Sequence, residues 1–138
     1  MSRDPDTGAD TDGEVLDRTV LDGLEALESF SGGELLAPIV AIFGRDGGQS
    51  LAAIRSGYEL DESAGLLSAL HKLRGSAGNV GARRVAALCQ QLETVAAAGD
   101  HRGWEGGYDR LASELEWAKQ ALAEVLADRD QPGPSQSG

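Results

Sequence analysis

His71-Lys72-Leu73-Arg74-Gly75-Ser76-Ala77-Gly78-Asn79-Val80-Gly81-Ala82 is the stretch on which the fold turns. On a helix advancing about 100° per residue, with His71 at zero, Leu66, Leu70, Leu73, Ala77 and Val80 gather between about 180° and 260°. That arc is the buried stripe. Leu67, Arg74, Gly75 and Gly78 fall within about 60° of the histidine, on the opposite side. His71 therefore faces solvent, on a helix side stripped of bulk. A helical glycine costs roughly 1 kcal/mol relative to alanine. Two on one exposed face indicate that something has to approach closely.

Outward from this helix the same period recurs, and no segment reads as a strand. A first helix is expected from about Leu16 to Ser29, with Val20, Leu24 and Leu27 as its stripe, broken by Ser31-Gly32-Gly33. A second starts near Glu34 and carries Leu35, Leu36, Ile39, Val40 and Phe43; Pro38 lies in its first turns, where a missing amide is tolerated. Gly44 to Gly48 leave two readings open, one kinked helix or two short ones, before Leu51, Ile54 and Tyr58 resume the stripe. The histidine helix begins after Asp61, a suitable N-cap, and ends near Asn79, with Gly81 in the turn. A fourth, about Ala82 to Ala98, buries Val85, Leu88, Leu92 and Val95. The last, to about Ala127, carries Trp104, Tyr108, Leu111, Leu115, Ala118, Leu122 and Val125, with a start nearer Tyr108 because of Gly103, Gly106 and Gly107. Its stripe advances seven residues every two turns, as in near-parallel bundle packing. Short turns between the last three helices force antiparallel neighbours. The expected fold is all-α, an up-down antiparallel four-helix bundle with an additional N-terminal helix as a lid. The bundle should occupy residues 14–128, between a disordered acidic arm (1–13) and a disordered tail (129–138).

Composition narrows the function. With 138 residues the chain makes one domain with a modest core. It contains no apolar run near the roughly 20 residues that span a bilayer, and its start lacks the apolar segment of a signal peptide. A cytoplasmic location is the expectation, and the initiating Met and polar termini fit a free-standing protein. The single cysteine, Cys89, lies near the apolar stripe of its helix and reads as a buried, inert thiol. A net charge of −11 argues against nucleic acid or an anionic membrane as partner. Its distribution says more. From Ser63 to Leu92 there is no Asp or Glu, although the chain holds 23 of them, while Lys72, Arg74, Arg83 and Arg84 supply four of its 12 Lys and Arg. A locally positive surface surrounds His71 on an acidic body.

The central stretch resembles the histidine-containing phosphotransfer (HPt) domain of multistep phosphorelays. That family's motif reads approximately His-x-Leu-Lys-Gly-Ser/Ala-Ala, with a further glycine six residues after the first. His71, Leu73, Gly75, Ser76, Ala77 and Gly81 match it, and Arg74 stands where the family more often has lysine. Leu88-Cys89 and Leu92-Glu93 follow at the family's usual spacing, and the helical pattern from about Leu16 to Leu126 has the expected length. The resemblance implies a four-helix bundle with an extra N-terminal helix, and a phosphorelay intermediate. His71 would accept a phosphoryl group from a receiver-domain aspartate and pass it reversibly to another response regulator. The implied partners are receiver domains and a hybrid histidine kinase. The chain itself would bind no cofactor, and Mg2+ would belong to the receiver.

The residue chemistry fits this expectation. An imidazole nitrogen attacks phosphorus only when unprotonated and open to in-line approach, and an exposed imidazole titrates near about 6.5. Phosphoryl transfer leaves mainly positioning and charge neutralisation to the protein. Arg74, one turn beyond His71, can reach the phosphoryl oxygens. Lys72, about 100° away, tunes the field or meets the partner. Gly75 and Gly78 open the surface over the imidazole, and Leu67 offers an apolar docking contact, placing the partner over the second and third helices. Ser76 joins this set, although a cap or packing role would account for it. Arg83 and Arg84 can meet a partner's acidic rim or remain solvated. His101, beside Asp100, has no second His or Cys at ligand spacing and reads as a surface residue, so no metal site is expected. With no nucleotide fingerprint and no catalytic Ser or Cys arrangement, the chain should be a phosphocarrier without kinase activity of its own.

Two other readings keep the bundle. One is a docking or inhibitory module for a receiver or kinase that is never phosphorylated, for which His71→Gln would bind as well as the parent. The other is a substrate domain of a chemotaxis-type histidine kinase, fed from ATP bound elsewhere. Nothing in the sequence demands a dimer, and a monomer is expected.

Overall fold

A computed structural model of the chain describes residues 14–99, 104 and 106–130. It contains five α-helices: α1 (Arg18–Ser31), α2 (Leu36–Glu59), α3 (Ser63–Asn79), α4 (Arg83–Ala97) and α5 (Gly107–Asp130). No strand occurs among the described residues, so the fold is all-helical, as expected. The expected arm at 1–13 and His101 lie outside the described residues, as does the expected tail from 131 onward. Residues 129 and 130, which the sequence assigns to the tail, belong to α5.

Helix α2 packs on α3 and α5, α3 packs on α4, and α4 on α5, so four helices close a ring around one core. Leu66, Leu70, Leu73, Ala77 and Val80 are all buried in it, as the wheel requires. They meet Val85, Leu88 and Leu92 of α4 and Leu111, Leu115, Ala118 and Leu122 of α5 in the same cluster. Each such leucine contributes about 1.5–3 kcal/mol of transfer free energy. No helix among the described residues is long and apolar enough to cross a membrane.

Several local expectations are corrected. Helix α1 starts at Arg18 rather than Leu16, because the Asp17 side chain accepts a hydrogen bond from the Thr19 amide and caps it. Its inward residues are Leu21 and Glu28, with Leu24 partly buried, while Leu27 of the expected stripe is 58% exposed. Glu28 is inside because its carboxylate accepts from the amides of Leu35 and Leu36, at 2.7 and 3.1 Å. It thereby caps α2, whose own N-cap residue, Leu35, has no capping side chain.

Asp61 is not the N-cap of α3. That position falls to Glu62, and Asp61 adopts φ 57° in the tight turn from α2, a left-handed conformation that a short polar side chain tolerates. Gly44 to Gly48 do not interrupt α2, which runs unbroken to Glu59. A Cβ at Gly47 would lie 3.0 Å from both terminal carbons of Leu115, so close helix approach is the reason for glycine there. Trp104 precedes α5 instead of belonging to its stripe, but is buried and stacks on Tyr58 with ring centroids 5.2 Å apart.

Candidate functional site around His71

His71 lies in the middle of α3, its side chain 71% exposed because the opposite face carries the whole buried stripe. Beside it, Arg74 comes from the next turn of α3 and Glu93 from α4. The Arg74 Nη2 stands 3.0 Å from His71 Nδ1, and Arg74 Nε donates to Glu93 Oε2 at 2.8 Å. The second carboxylate oxygen of Glu93 is 3.8 Å from Nδ1. One ring nitrogen therefore faces a cation and an anion held together, and Nε2 forms no hydrogen bond with any described residue.

Gly75 and Gly78 are both exposed, and a Cβ built at either meets nothing within 4 Å. The protein's own packing does not demand glycine at these positions. Both border a groove whose far wall is α4, through Arg83, Arg84 and Gln90, with Asp17 and Val20 closing one end. The concavity beside His71 thus opens between α3 and α4, not over α2 and α3. Leu67 is half-buried and Lys72 exposed, and neither lines the groove. Ser76 is half-buried and borders a different depression, shared with Leu24, Ile39 and Phe43. Arg83 and Arg84 both line the groove, but Arg84 is not a freely solvated charge: it donates to Glu114 Oε2 at 2.7 Å and lies over the Trp117 ring.

Glu93, which the sequence marks only through the family's spacing, is the residue to which sequence reasoning gives no role at the site. It is the first acid after the gap that begins at Ser63, and it sits one turn beyond Cys89, at the edge of the buried face of α4. Cys89 is fully buried, as expected. Burial first, and then the Glu93 carboxylate, push its thiol up to about 12, with Arg74 opposing. Among the described residues no group of three or more His, Cys, Asp or Glu could hold a metal ion.

The Hpt domain family profile matches residues 38–127. The chain belongs to the Hpt domain family, the histidine phosphotransfer modules of phosphorelays, which are phosphocarriers rather than enzymes and work with receiver domains and histidine kinases. Among solved structures, it is similar to the histidine-containing phosphotransfer protein B (HptB) from Pseudomonas aeruginosa PAO1. The TM-score is 0.71 at 19% sequence identity, over 82% of this chain and 95% of that one. At that identity the likeness concerns the fold. No curated protein sequence matches the chain.

Proposed function

We propose that this protein is a phosphorelay intermediate in which His71 Nε2 receives a phosphoryl group from a receiver-domain aspartyl phosphate and returns it to another receiver. The observation that carries this reading is the exposed imidazole on the glycine-bared face of α3, with its Nδ1 edge occupied and its Nε2 edge open. The Nε2 lone pair attacks phosphorus, the bond to the aspartyl oxygen breaks, and the receiver regains its carboxylate. Arg74 supplies positive charge to the phosphoryl oxygens, and Lys72 adds to the field. The receiver brings the divalent metal. Its active site approaches over Gly75 and Gly78, with Leu67 and the α4 arginines as flanking contacts. The ring of four helices, joined by three-residue turns on either side of α3, fits an up-down antiparallel bundle. A monomer without kinase activity, acting in the cytoplasm, completes the proposal.

The test is transfer of labelled phosphate from a phosphorylated receiver domain, run beside His71→Gln. Label that is acid-labile, base-stable and lost in the variant is the expected result. A folded protein that stays unlabelled across a panel of receivers would overturn the carrier reading in favour of a docking or inhibitory module.

A further inference from the structure

The groove between α3 and α4 encloses about 860 Å³, within the range of roughly 300–1,000 Å³ that is usual for binding clefts. It runs from Gly81 and Arg83 at one end to His71 and Gln90 at the other. Seven residues separate Gly78 from His71, and seven separate Arg83 from Gln90, so each wall is about 10 Å long. Three arginines line it. Arg74 is paired with Glu93 and Arg84 with Glu114, but Arg83 forms no ion pair with any described residue. Asp17, at the closed end, has its carboxylate on the Thr19 amide. The chain also arrives at this end from its N-terminal side, because Val15 and Leu16 pack against the core and the Asp17 amide is bonded to the Gly81 carbonyl.

Residues 1–13, outside the described part of the chain, carry Asp4, Asp6, Asp10 and Asp12 against Arg3 alone. The acids form two Asp-x-Asp pairs, and in extended backbone residues two apart point to the same side. Asp12 stands four residues before Leu16 and Asp10 six, a reach of at most about 14 and 21 Å. The nearer pair can therefore meet Arg83 and Arg84, and the residues before it are more than long enough to run the length of the groove. We propose that residues 1–13 lie in this groove as an intramolecular cover, with Asp10 and Asp12 on Arg83 and Arg84 and the preceding residues across Gly78 and Gly75 beside His71. Exposed ion pairs contribute little one by one, but a short tether holds the acids at an effective concentration in the millimolar range. The result is a weak occupant, screened by salt, that a docking protein displaces. Its consequence for phosphotransfer rests on the carrier reading: cover and receiver compete for one surface, so the cover raises the receiver concentration that transfer needs.

The test uses the full chain and needs no partner protein. A nitroxide on Thr7→Cys, in a Cys89→Ala background so that the label has one site, broadens the NMR amide signals of the residues it approaches. At low salt Gly75, Gly78 and Gln90 should broaden about threefold more than in the same chain with Asp4, Asp6, Asp10 and Asp12 all changed to Asn. Arg83→Gln should weaken the broadening in the same direction, and about 0.5 M salt should remove the difference. Equal broadening in the parent and the Asn variant, or broadening that salt leaves unchanged, would overturn the cover. Spin-labelled chain mixed with unlabelled 15N chain should leave these amides sharp. Broadening in that mixture would put the acidic segment in the groove of a second copy and overturn the intramolecular contact. With a phosphorylated receiver as donor, the Asn variant should reach half-maximal labelling at about threefold less receiver than the parent, at low salt only. Equal thresholds would overturn the competition. Absent transfer to both proteins would overturn the carrier reading, whereas the broadening decides the cover by itself.

Discussion

Cys89 and Glu93 show how one turn of α4 can hold two chemically opposed side chains. Cys89 faces the core and Glu93 meets Arg74 of α3, four residues apart, so the thiolate that burial already disfavours would also confront a carboxylate. The thiol rises from 9.0 to about 12. The folded state therefore holds its proton more tightly than the unfolded chain does, and the sign follows. The stabilisation is complete below pH 9 and is lost as pH climbs from 9 towards 12. Urea titrations at rising pH should show the midpoint falling over that window, and falling less steeply in Cys89→Ala than in the parent. Equal slopes would mean that other groups account for alkaline unfolding. In the folded protein the thiol should also resist alkylation on the timescale on which the urea-unfolded chain reacts fully. At this scale the sequence is partly legible. His71 and Arg74 are placed on the open face by a periodicity that depends only on their own helix. Glu93 is not, because its relevance comes from how α3 and α4 cross, which no local pattern encodes.

Among the helices, glycine carries two opposite meanings that sequence alone does not separate. Gly75 and Gly78 face open space, whereas Gly57 lets α2 approach α3 until a Cβ would sit 3.0 Å from the Leu66 backbone. Gly78→Ala should accordingly stabilise the protein by about 0.5–1 kcal/mol, since alanine fits and is the better helix former. For a domain of this size that raises Tm by a few degrees, on the order of 4–8 °C per kcal/mol. Gly57→Ala should instead cost about 1–3 kcal/mol, because the atoms in its way are backbone that cannot rotate aside. Thermal unfolding of both variants settles the contrast. A Gly78→Ala protein that is more stable but slower in phosphotransfer would locate the need for glycine in the partner. Unchanged transfer would leave that glycine without a docking role. The same ambiguity explains why the sequence leaves α2 open between one kinked helix and two short ones. Gly44 to Gly48 look like a breaker when judged by propensity, but tertiary packing against Leu115 outweighs it. The caps behaved similarly. Asp61 has the right chemistry for an N-cap and stands one residue too early, and α2 is capped by Glu28 from a different helix, a contact eight residues long that no window reveals.

The whole molecule joins the start of its N-terminal helix to the His71 face at the turn between α3 and α4. Helix α1 packs lightly on α2 and lies outside the ring of four. At its N-terminal end the Asp17 amide donates to the Gly81 carbonyl at 2.6 Å, and Gly81 forms the turn between α3 and α4 with φ 76°. A Cβ on Gly81 would lie 3.0 Å from the Asp17 carbonyl oxygen and 3.2 Å from Val20 Cβ. Asp17 and Val20 are also the residues that close the groove beside His71. Gly81→Ala should therefore do two separable things. The left-handed backbone costs a non-glycine residue about 1–2 kcal/mol, lowering global stability. The new methyl also pushes directly on the start of α1, so that helix should lose more protection than the ring does. Hydrogen exchange measured by mass spectrometry on parent and variant distinguishes the two effects. In the parent, α1 amides should exchange faster than those of α3 and α4, because few buried contacts hold that helix down. In Gly81→Ala the gap should widen, with α1 approaching free exchange while α3 and α4 slow-exchanging amides shift only by the global loss. Uniform loss across all five helices would show that α1 is an integral member of the bundle, and the groove wall beside His71 would then be as rigid as the core beneath it.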